Sequence, residues 1–243
     1  MKKRLDILLA ERNQAESREQ AQRLIQAGRV LINGQLVTKP GHKFSLDSRT
    51  EVKDGNRFVS RGGEKLEAAF IEFRLDVNKL ICMDIGASTG GFTDCMLQHG
   101  ALKVFAVDVG KGQLHWKLRN DPHVVVMECV NARYLQKSDI AETPQFAAMD
   151  VSFISLTKVM PAVTEILANG GELVTLIKPQ FEAGREQVQK GGVVRNPVVR
   201  DDVLRKIEEF GKNKLGLKWL GACESPLRGP AGNIEMLAHW RKE

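Results

Sequence analysis

Met83-Asp84-Ile85-Gly86-Ala87-Ser88-Thr89-Gly90-Gly91-Phe92 puts a carboxylate inside an apolar run and a glycine-rich turn directly after it. Glycines in such a turn let the backbone bend sharply and approach a ligand. Asp108 closes the next apolar run in the chain. A carboxylate there can accept both ribose hydroxyls of a nucleotide-like cofactor. Three other chemistries compete for the turn. A phosphate-binding P-loop needs a lysine after its last glycine, and none follows Gly91 at the right place. The dinucleotide pattern needs glycine where Ser88 stands. Gly86-Ala87-Ser88-Thr89-Gly90 fits the nucleophile elbow of serine hydrolases. That elbow, however, follows several strands and comes with a His-Gly-Gly-Gly oxyanion segment, and this chain has neither feature before Gly86.

Four more polar residues stand at suggestive places. Lys65 begins a helical pattern ahead of the first strand, and Asp150 ends the fourth apolar run. Lys178 ends the fifth, and Glu235 lies in Gly232-Asn233-Ile234-Glu235-Met236. Ligands of open α/β sheets bind beyond the carboxyl ends of the strands, so one cleft would gather Asp84, Asp108, Asp150 and Lys178. Singly, Asp150 reads as a turn cap, Glu235 as an exposed strand position and Lys65 as an exposed helix position. Lys178, between an apolar run and Pro179, is poorly explained as a solvated tail.

The elements that must carry these residues follow from periodicity. Leu80–Ile85, Leu102–Val107, Val124–Cys129, Phe146–Val151 and Glu172–Ile177 read as strands. Lys65–Phe73, Phe92–His99, Ser155–Ala168 and Val198–Lys214 read as helices. That alternation predicts an α/β fold with a mainly parallel sheet covered on both faces. Leu217–Cys223 and Ile234–Trp240 read as a closing antiparallel hairpin at a sheet edge.

The segment 1–60 differs from this body. It carries 12 Lys and Arg against 7 Asp and Glu, so five of the six net positive charges of the 243-residue chain lie there. Ser17-Arg18-Glu19-Gln20 reads as a capping box. Ala21, Leu24 and Ile25 form an apolar stripe, with Gly28 as the helix stop. Asn33-Gly34 between Val30-Leu31-Ile32 and Gln35-Leu36-Val37 signals a hairpin. A shorter helix runs from Arg4 to Glu11, and the turn cluster Asp54-Gly55-Asn56 marks a boundary. The expected domains are 1–59, with a linker at about 54–60, and 60–243. The four cysteines lack zinc-site or disulfide spacing and suit a reducing, cytosolic setting. No apolar run approaches the roughly 20 residues that a membrane-spanning helix needs.

The N-terminal pattern resembles the S-four-type RNA-binding domain over residues 4–58, most specifically from Ser17 to Gly34. That resemblance implies a small α+β domain presenting Arg4, Arg18, Arg23, Arg29, Lys39 and Lys43 to structured RNA. The glycine turn resembles the methyltransferase version of the nucleotide-binding turn, whose cofactor is S-adenosylmethionine. The residues expected around it are Asp84, Gly86, Ala87, Ser88, Thr89, Gly90, Gly91 and Phe92, with Asp108, Val109, Asn131 and Asp150. Asn131 resembles the position that reads the adenine. Lys65, Asp150, Lys178 and Glu235 together resemble the Lys-Asp-Lys-Glu tetrad of the FtsJ-like ribose 2′-O-methyltransferases.

Nearly the whole chain thus resembles the TlyA-type, or hemolysin-like, rRNA methyltransferases. The resemblance implies a Rossmann-like catalytic domain and methylation of a cytidine 2′-hydroxyl in ribosomal RNA or ribosomal subunits. It implies no metal, since in-line methyl transfer rests on positioning. A lysine with a lowered pKa would serve as base or charge stabiliser, Lys178 first, with Lys65 as the second cation. Asp150-Val151-Ser152-Phe153 lacks the Pro-Pro motif of amino-group methyltransferases, and no cysteine nucleophile lies at 149–155 or 176–182. The expected protein is a cytoplasmic monomer without a membrane partner. The competing readings are a membrane-active hemolysin and a non-catalytic ribosome assembly factor.

Overall fold

A computed structural model describes residues 2–53 and 57–243. The boundary cluster at 54–56 lies outside the described residues. Chain contacts divide the protein into two compact units, 1–57 and 58–243.

The first unit contains β1 (Lys2–Arg4), α1 (Leu5–Glu11), α2 (Arg18–Gln26), β2 (Val30–Ile32), β3 (Gln35–Val37), β4 (Lys43–Ser45) and β5 (Thr50–Val52). Ser17 caps α2 by accepting from Gln20 N–H at 3.1 Å. The Gln20 side chain reaches back to Glu16 N–H, one residue earlier than the capping box predicts. Asn33 and Gly34 take φ of 49° and 80°, as the tight turn joining β2 to β3 requires. Leu5, Leu9, Ala21, Ile25, Val30 and Ile32 form the core. Beneath it sits Asp6, fully buried and bound by Arg4, Arg18 and Gln22 at 2.8–3.0 Å. The Arg4 guanidinium beside it holds the Asp6 carboxyl far below the usual carboxylate range.

The second unit contains α3 (Gly62–Phe73), β6 (Ile81–Ile85), α4 (Gly91–Gln98), β7 (Lys103–Val107), α5 (Trp116–Arg119), β8 (Val124–Met127) and β9 (Phe146–Met149). It continues with α6 (Met160–Ile166), β10 (Glu172–Ile177), α7 (Pro179–Glu182), α8 (Pro197–Leu215), β11 (Leu217–Glu224) and β12 (Met236–Lys242). Its seven-stranded sheet has the order β11-β12-β10-β9-β6-β7-β8. The strands from β10 to β8 run parallel, and β12 pairs antiparallel with both β10 and β11.

Strands buried on both faces read as continuous apolar runs, which is why those of this sheet were visible in the sequence. Met83, Ile85, Phe105 and Met149 point to one side, against Met160 and Val163 of α6 and Ile207 of α8. Cys82, Val104, Phe146 and Val174 point to the other, against Leu66 and Phe70 of α3 and Met96 of α4.

Two expectations need correction. Phe58 and Val59, placed by the sequence with the N-terminal domain, belong to the second unit. Phe58 is buried among the residues around Leu66, and Val59 N–H donates to Asp94 at 2.8 Å. The helix expected over Ser155–Ala168 is a 3₁₀ turn at Leu156–Lys158 followed by α6. Pro161 lacks the N–H that an uninterrupted helix would need, so it fits only the first turn of α6. The closing antiparallel hairpin stands at one edge of the sheet as expected, with β11 outermost and β12 between it and β10.

Candidate active site

The parallel strands deliver their C-terminal ends to one side of the sheet. Gly86 begins the turn after β6 with φ of 85°. A side chain there would stand 2.6 Å from the Asp150 carbonyl, so glycine lets the turns after β6 and β9 lie against each other. Gly86 and Ala87 N–H both donate to Val107 O, at 2.9 and 3.1 Å. The turn is thereby fixed to the end of β7. Asp108 completes the link: one carboxylate oxygen accepts from Ser88 N–H and the other from Gly110 N–H, each at 2.7 Å.

Two cavities meet at Gly86, Ser88 and Asp150. One, of about 490 Å³, has Asp108, Val109, Asn131, Phe153 and Ile154 in its wall. The other, of about 250 Å³, is bordered by Arg61, Lys65, Asp84, Thr89 and Arg228. Ala87, Gly91 and Phe92 line this second cavity too. Gly90 lines neither: its α-carbon faces Leu114 and Leu118, and a side chain would collide with both. Glycine at this position makes room for the two leucines. Asn131 borders the larger cavity, but its side-chain oxygen caps the following turn through Arg133 N–H at 3.1 Å.

Asp84 is fully buried. One oxygen accepts from Thr93 N–H and Oγ1, at 2.8 and 2.6 Å, and the other has no hydrogen-bond partner among the described residues. Burial pushes this carboxyl up to about 7, with the Thr93 hydrogen bonds opposing and the charges of Asp150 and Asp108 adding to the rise. A buried, unpartnered acceptor at a cavity wall fits a cationic group on a ligand.

The tetrad forms two ion pairs. Lys65 Nζ meets Glu235 Oε2 at 2.6 Å, with the two side chains 12% and 1% exposed. Glu235 Oε1 has no hydrogen-bond partner among the described residues. Lys178 Nζ meets Asp150 Oδ1 at 2.5 Å and Ser152 Oγ at 2.8 Å. Lys65 and Asp150 both border the smaller cavity. The sequence placed Lys65 at the start of its helix, whereas α3 begins at Gly62 and Lys65 falls in the first turn. Glu235, expected as an exposed strand position, is buried just before β12.

Three features of the site were not anticipated. Phe153 is 90% exposed, with φ of 62° and its ring centroid 5.1 Å from that of Phe181. Such a backbone is costly for a bulky residue, and strain of this kind concentrates at functional sites. Buried Glu182 fastens the segment beyond it, accepting from Ser155 Oγ and Leu156 N–H at 2.6 Å each. Ser152 adds the second acceptor for Lys178. The available signal was an apolar aromatic in the polar loop at a strand's carboxyl end.

The expected RNA contacts divide in two. Arg4 and Arg18 share Asp6, Arg23 pairs with Glu19 at 2.7 Å, and Arg29 donates to Lys53 O. Lys39 and Lys43 are exposed and have no carboxylate partner among the described residues. Elsewhere, Cys95, His99 and Glu67 gather their ligand atoms within 4.8 Å. Cys95 and His99 are one helical turn apart in the chain.

A mostly parallel sheet with a glycine turn after β6, a carboxylate just after β7 and a split cavity is the arrangement of S-adenosylmethionine-dependent methyltransferases. A solved member from Mesorhizobium loti, 14% identical, shares this fold with a TM-score of 0.51 over 72% of this chain and 96% of that one. Residues 58–242 match the FtsJ-like methyltransferase family model, and residues 3–49 match the S4 domain. A Bacillus subtilis protein, provisionally named an rRNA methyltransferase, is 51% identical over 98% of this chain and 85% of its own length. The Mycobacterium tuberculosis protein named 16S/23S rRNA (cytidine-2′-O)-methyltransferase TlyA is 45% identical over 96% of this chain and 87% of its own. A solved hemolysin-named structure from Streptococcus thermophilus superposes with a TM-score of 0.77, at 48% identity, covering 99% of this chain and 88% of that one. The chain belongs to the FtsJ-like methyltransferase family, in the branch that carries an S4 domain ahead of the catalytic one, and S-adenosylmethionine is its methyl donor.

Proposed function

We propose that this protein methylates the 2′-hydroxyl of a cytidine in ribosomal RNA. The observation that carries this reading is the two largely buried ion pairs, Lys65–Glu235 and Lys178–Asp150, beside the two cavities that meet at Gly86 and Asp150. Asp108 and Asn131 would hold the nucleoside of S-adenosylmethionine, and the free oxygen of Asp84 its ammonium group. The cofactor supplies an electrophilic methyl on a sulfonium.

The rest is done by side chains. A ribose hydroxyl must lose its proton as the new C–O bond forms. That proton leaves by way of Lys178 Nζ, which Asp150 and Ser152 hold in place. Lys65 keeps two N–H donors beyond its bond to Glu235, enough to hold the developing oxyanion. The unpartnered Glu235 oxygen accepts from a neighbouring hydroxyl and orients the ribose. Phe153 offers a ring face to the nucleobase, the way single-stranded bases are commonly held. The S4 domain, with Lys39 and Lys43 unpaired, recognises folded RNA by shape and charge.

Oxygen as the acceptor is favoured by Asp150-Val151-Ser152-Phe153 and by the absence of a cysteine at 149–155. Among the described residues no helix is long and apolar enough to cross a membrane, which gives a lytic reading no support. The intact cofactor cavity favours an enzyme over an assembly factor. We take the protein to act as a monomer in the cytoplasm, where ribosomal subunits are found. The test is transfer of radiolabelled methyl from S-adenosylmethionine to unmodified small and large subunits, followed by alkaline hydrolysis. An alkali-resistant labelled dinucleotide supports ribose methylation, and label confined to bases refutes it.

A further inference from the structure

Beside the transfer cavity lies a cleft of about 400 Å³ whose wall includes Arg195, Arg200, Arg228, Val194 and Ile234. Arg228 also borders the transfer cavity. None of the three arginines pairs with a carboxylate among the described residues. Two of them sit in a basic stretch: residues 185–200 hold Arg185, Lys190, Arg195 and Arg200 against the single acid Glu186. Arg200 is tied back by one N–H to Arg195 O at 2.9 Å, which leaves the rest of its guanidinium fork unused.

The two segments carrying the arginines are fixed by one residue. Asn233 is buried. Its side-chain oxygen accepts from Val194 N–H at 2.9 Å and its amide donates to Gly192 O at 2.7 Å. Its main-chain oxygen accepts from Gly229 N–H at 2.9 Å. The loop before Arg195 and the turn after Arg228 therefore hang from a single buried asparagine, two residues ahead of Glu235. Unpaired surface arginines on independent loops would need no such common anchor.

We propose that Arg195, Arg200 and Arg228 form a phosphate-binding subsite that holds the RNA backbone next to the nucleotide being methylated, with Asn233 as its positioning residue. The subsite rests on the reading of this protein as an RNA methyltransferase. Guanidinium forks match phosphate oxygens bidentately, and contacts of this kind set register without reading sequence. Arg228 lines both this cleft and the cavity that Lys65 and Asp150 border, so a strand whose ribose enters the transfer cavity can continue along the cleft. The shared Arg228 makes the two sites contiguous. A free small anion would need one or two of these residues. Three of them along a cleft fit a chain of phosphates.

The test uses the full chain and unmodified ribosomal subunits, reading subunit affinity and methyl transfer separately. Arg195→Gln/Arg200→Gln, and independently Arg228→Gln, should weaken subunit binding about tenfold and raise KM similarly, with a far smaller change in kcat. The log–log salt dependence of binding should flatten by about one unit for each arginine lost. Arg195→Lys/Arg200→Lys should keep that slope. Cofactor titration of Arg195→Gln/Arg200→Gln confirms that it is folded. Unchanged subunit affinity and salt slope in both glutamine variants would overturn the subsite. Weakened binding by the variants, with wild-type protein transferring no methyl to either subunit, would uphold the subsite and remove the enzymatic reading.

Discussion

Replacing Glu235 by Gln keeps the shape of the side chain and removes its charge. Lys65 then stands 2.6 Å from a neutral amide, with only 12% of its side chain reaching solvent. Breaking a buried pair from one side costs about 3–5 kcal/mol when the remaining charge is fully enclosed. Lys65 is not fully enclosed, so the expected loss is smaller, about 2–3 kcal/mol. In a domain of this size that lowers the melting temperature by about 5–10 °C. The double variant Lys65→Met/Glu235→Leu removes both charges and fills similar volume, and should recover stability to within about 1 kcal/mol of wild type. Methylation should stay lost in both variants. Thermal melts of the cofactor-free protein and single-turnover methylation at saturating RNA give the two readouts. An unchanged melting temperature for Glu235→Gln would show that the pair is not desolvated. Methylation returning with stability in the double variant would reduce the pair to a structural strut.

Lys178→Ala should abolish turnover while leaving cofactor affinity within about 1 kcal/mol, as calorimetric titration will show, because its contacts are Asp150 and Ser152. The Asp84 carboxyl, pushed up to about 7, is protonated in the folded protein over a range where an unfolded carboxylate has already ionised. Stability that this group contributes below pH 4 is lost as pH rises from about 4 through 7. A cationic ligand needs the ionised form, so cofactor affinity should climb over the same window, with a proton released on binding. Asp84→Asn should flatten that climb, and an unaltered pH profile in the variant would detach Asp84 from the cofactor. Deleting residues 1–57 should leave a body that binds cofactor and methylates poorly. Full activity of that deletion at low subunit concentration would take RNA recognition away from the S4 domain.

The sequence was most readable where one residue's environment is set by its neighbours in the chain. Glu172–Ile177 appears as a strand with the expected ends, and β6 and β7 differ from expectation by one residue each. Both faces of those strands are covered, so apolar residues dominate each run, with Asp84 in β6 and Thr175 in β10 as buried polar members. The short elements were missed. Lys2–Arg4 becomes a strand only because β4 pairs with it, and nothing in Lys-Lys-Arg favours that. Residues 179–182 form one turn that follows from Pro179 after β10. Within the site, residue types and chain positions singled out Lys178 and Asp150 as candidates. Their pairing, and that of Lys65 with Glu235 across 170 residues, is a tertiary fact. So is Asn233, which reads in sequence as an ordinary turn residue after glycine.

The position of β12 between β10 and β11 ties activity to the order in which the chain is made. Glu235 reaches Lys65 only when the residues that follow it have entered an interior slot of the sheet. Proteins fold their N-terminal parts first during synthesis. A nascent chain that has completed its S4 domain and the strands through β10 still lacks one member of the tetrad, and its sheet still lacks an interior strand. A chain stopped after the S4 domain and before Glu235 would thus carry the RNA-binding module without the Lys65–Glu235 pair, and on the proposed role of that pair it would bind RNA without modifying it.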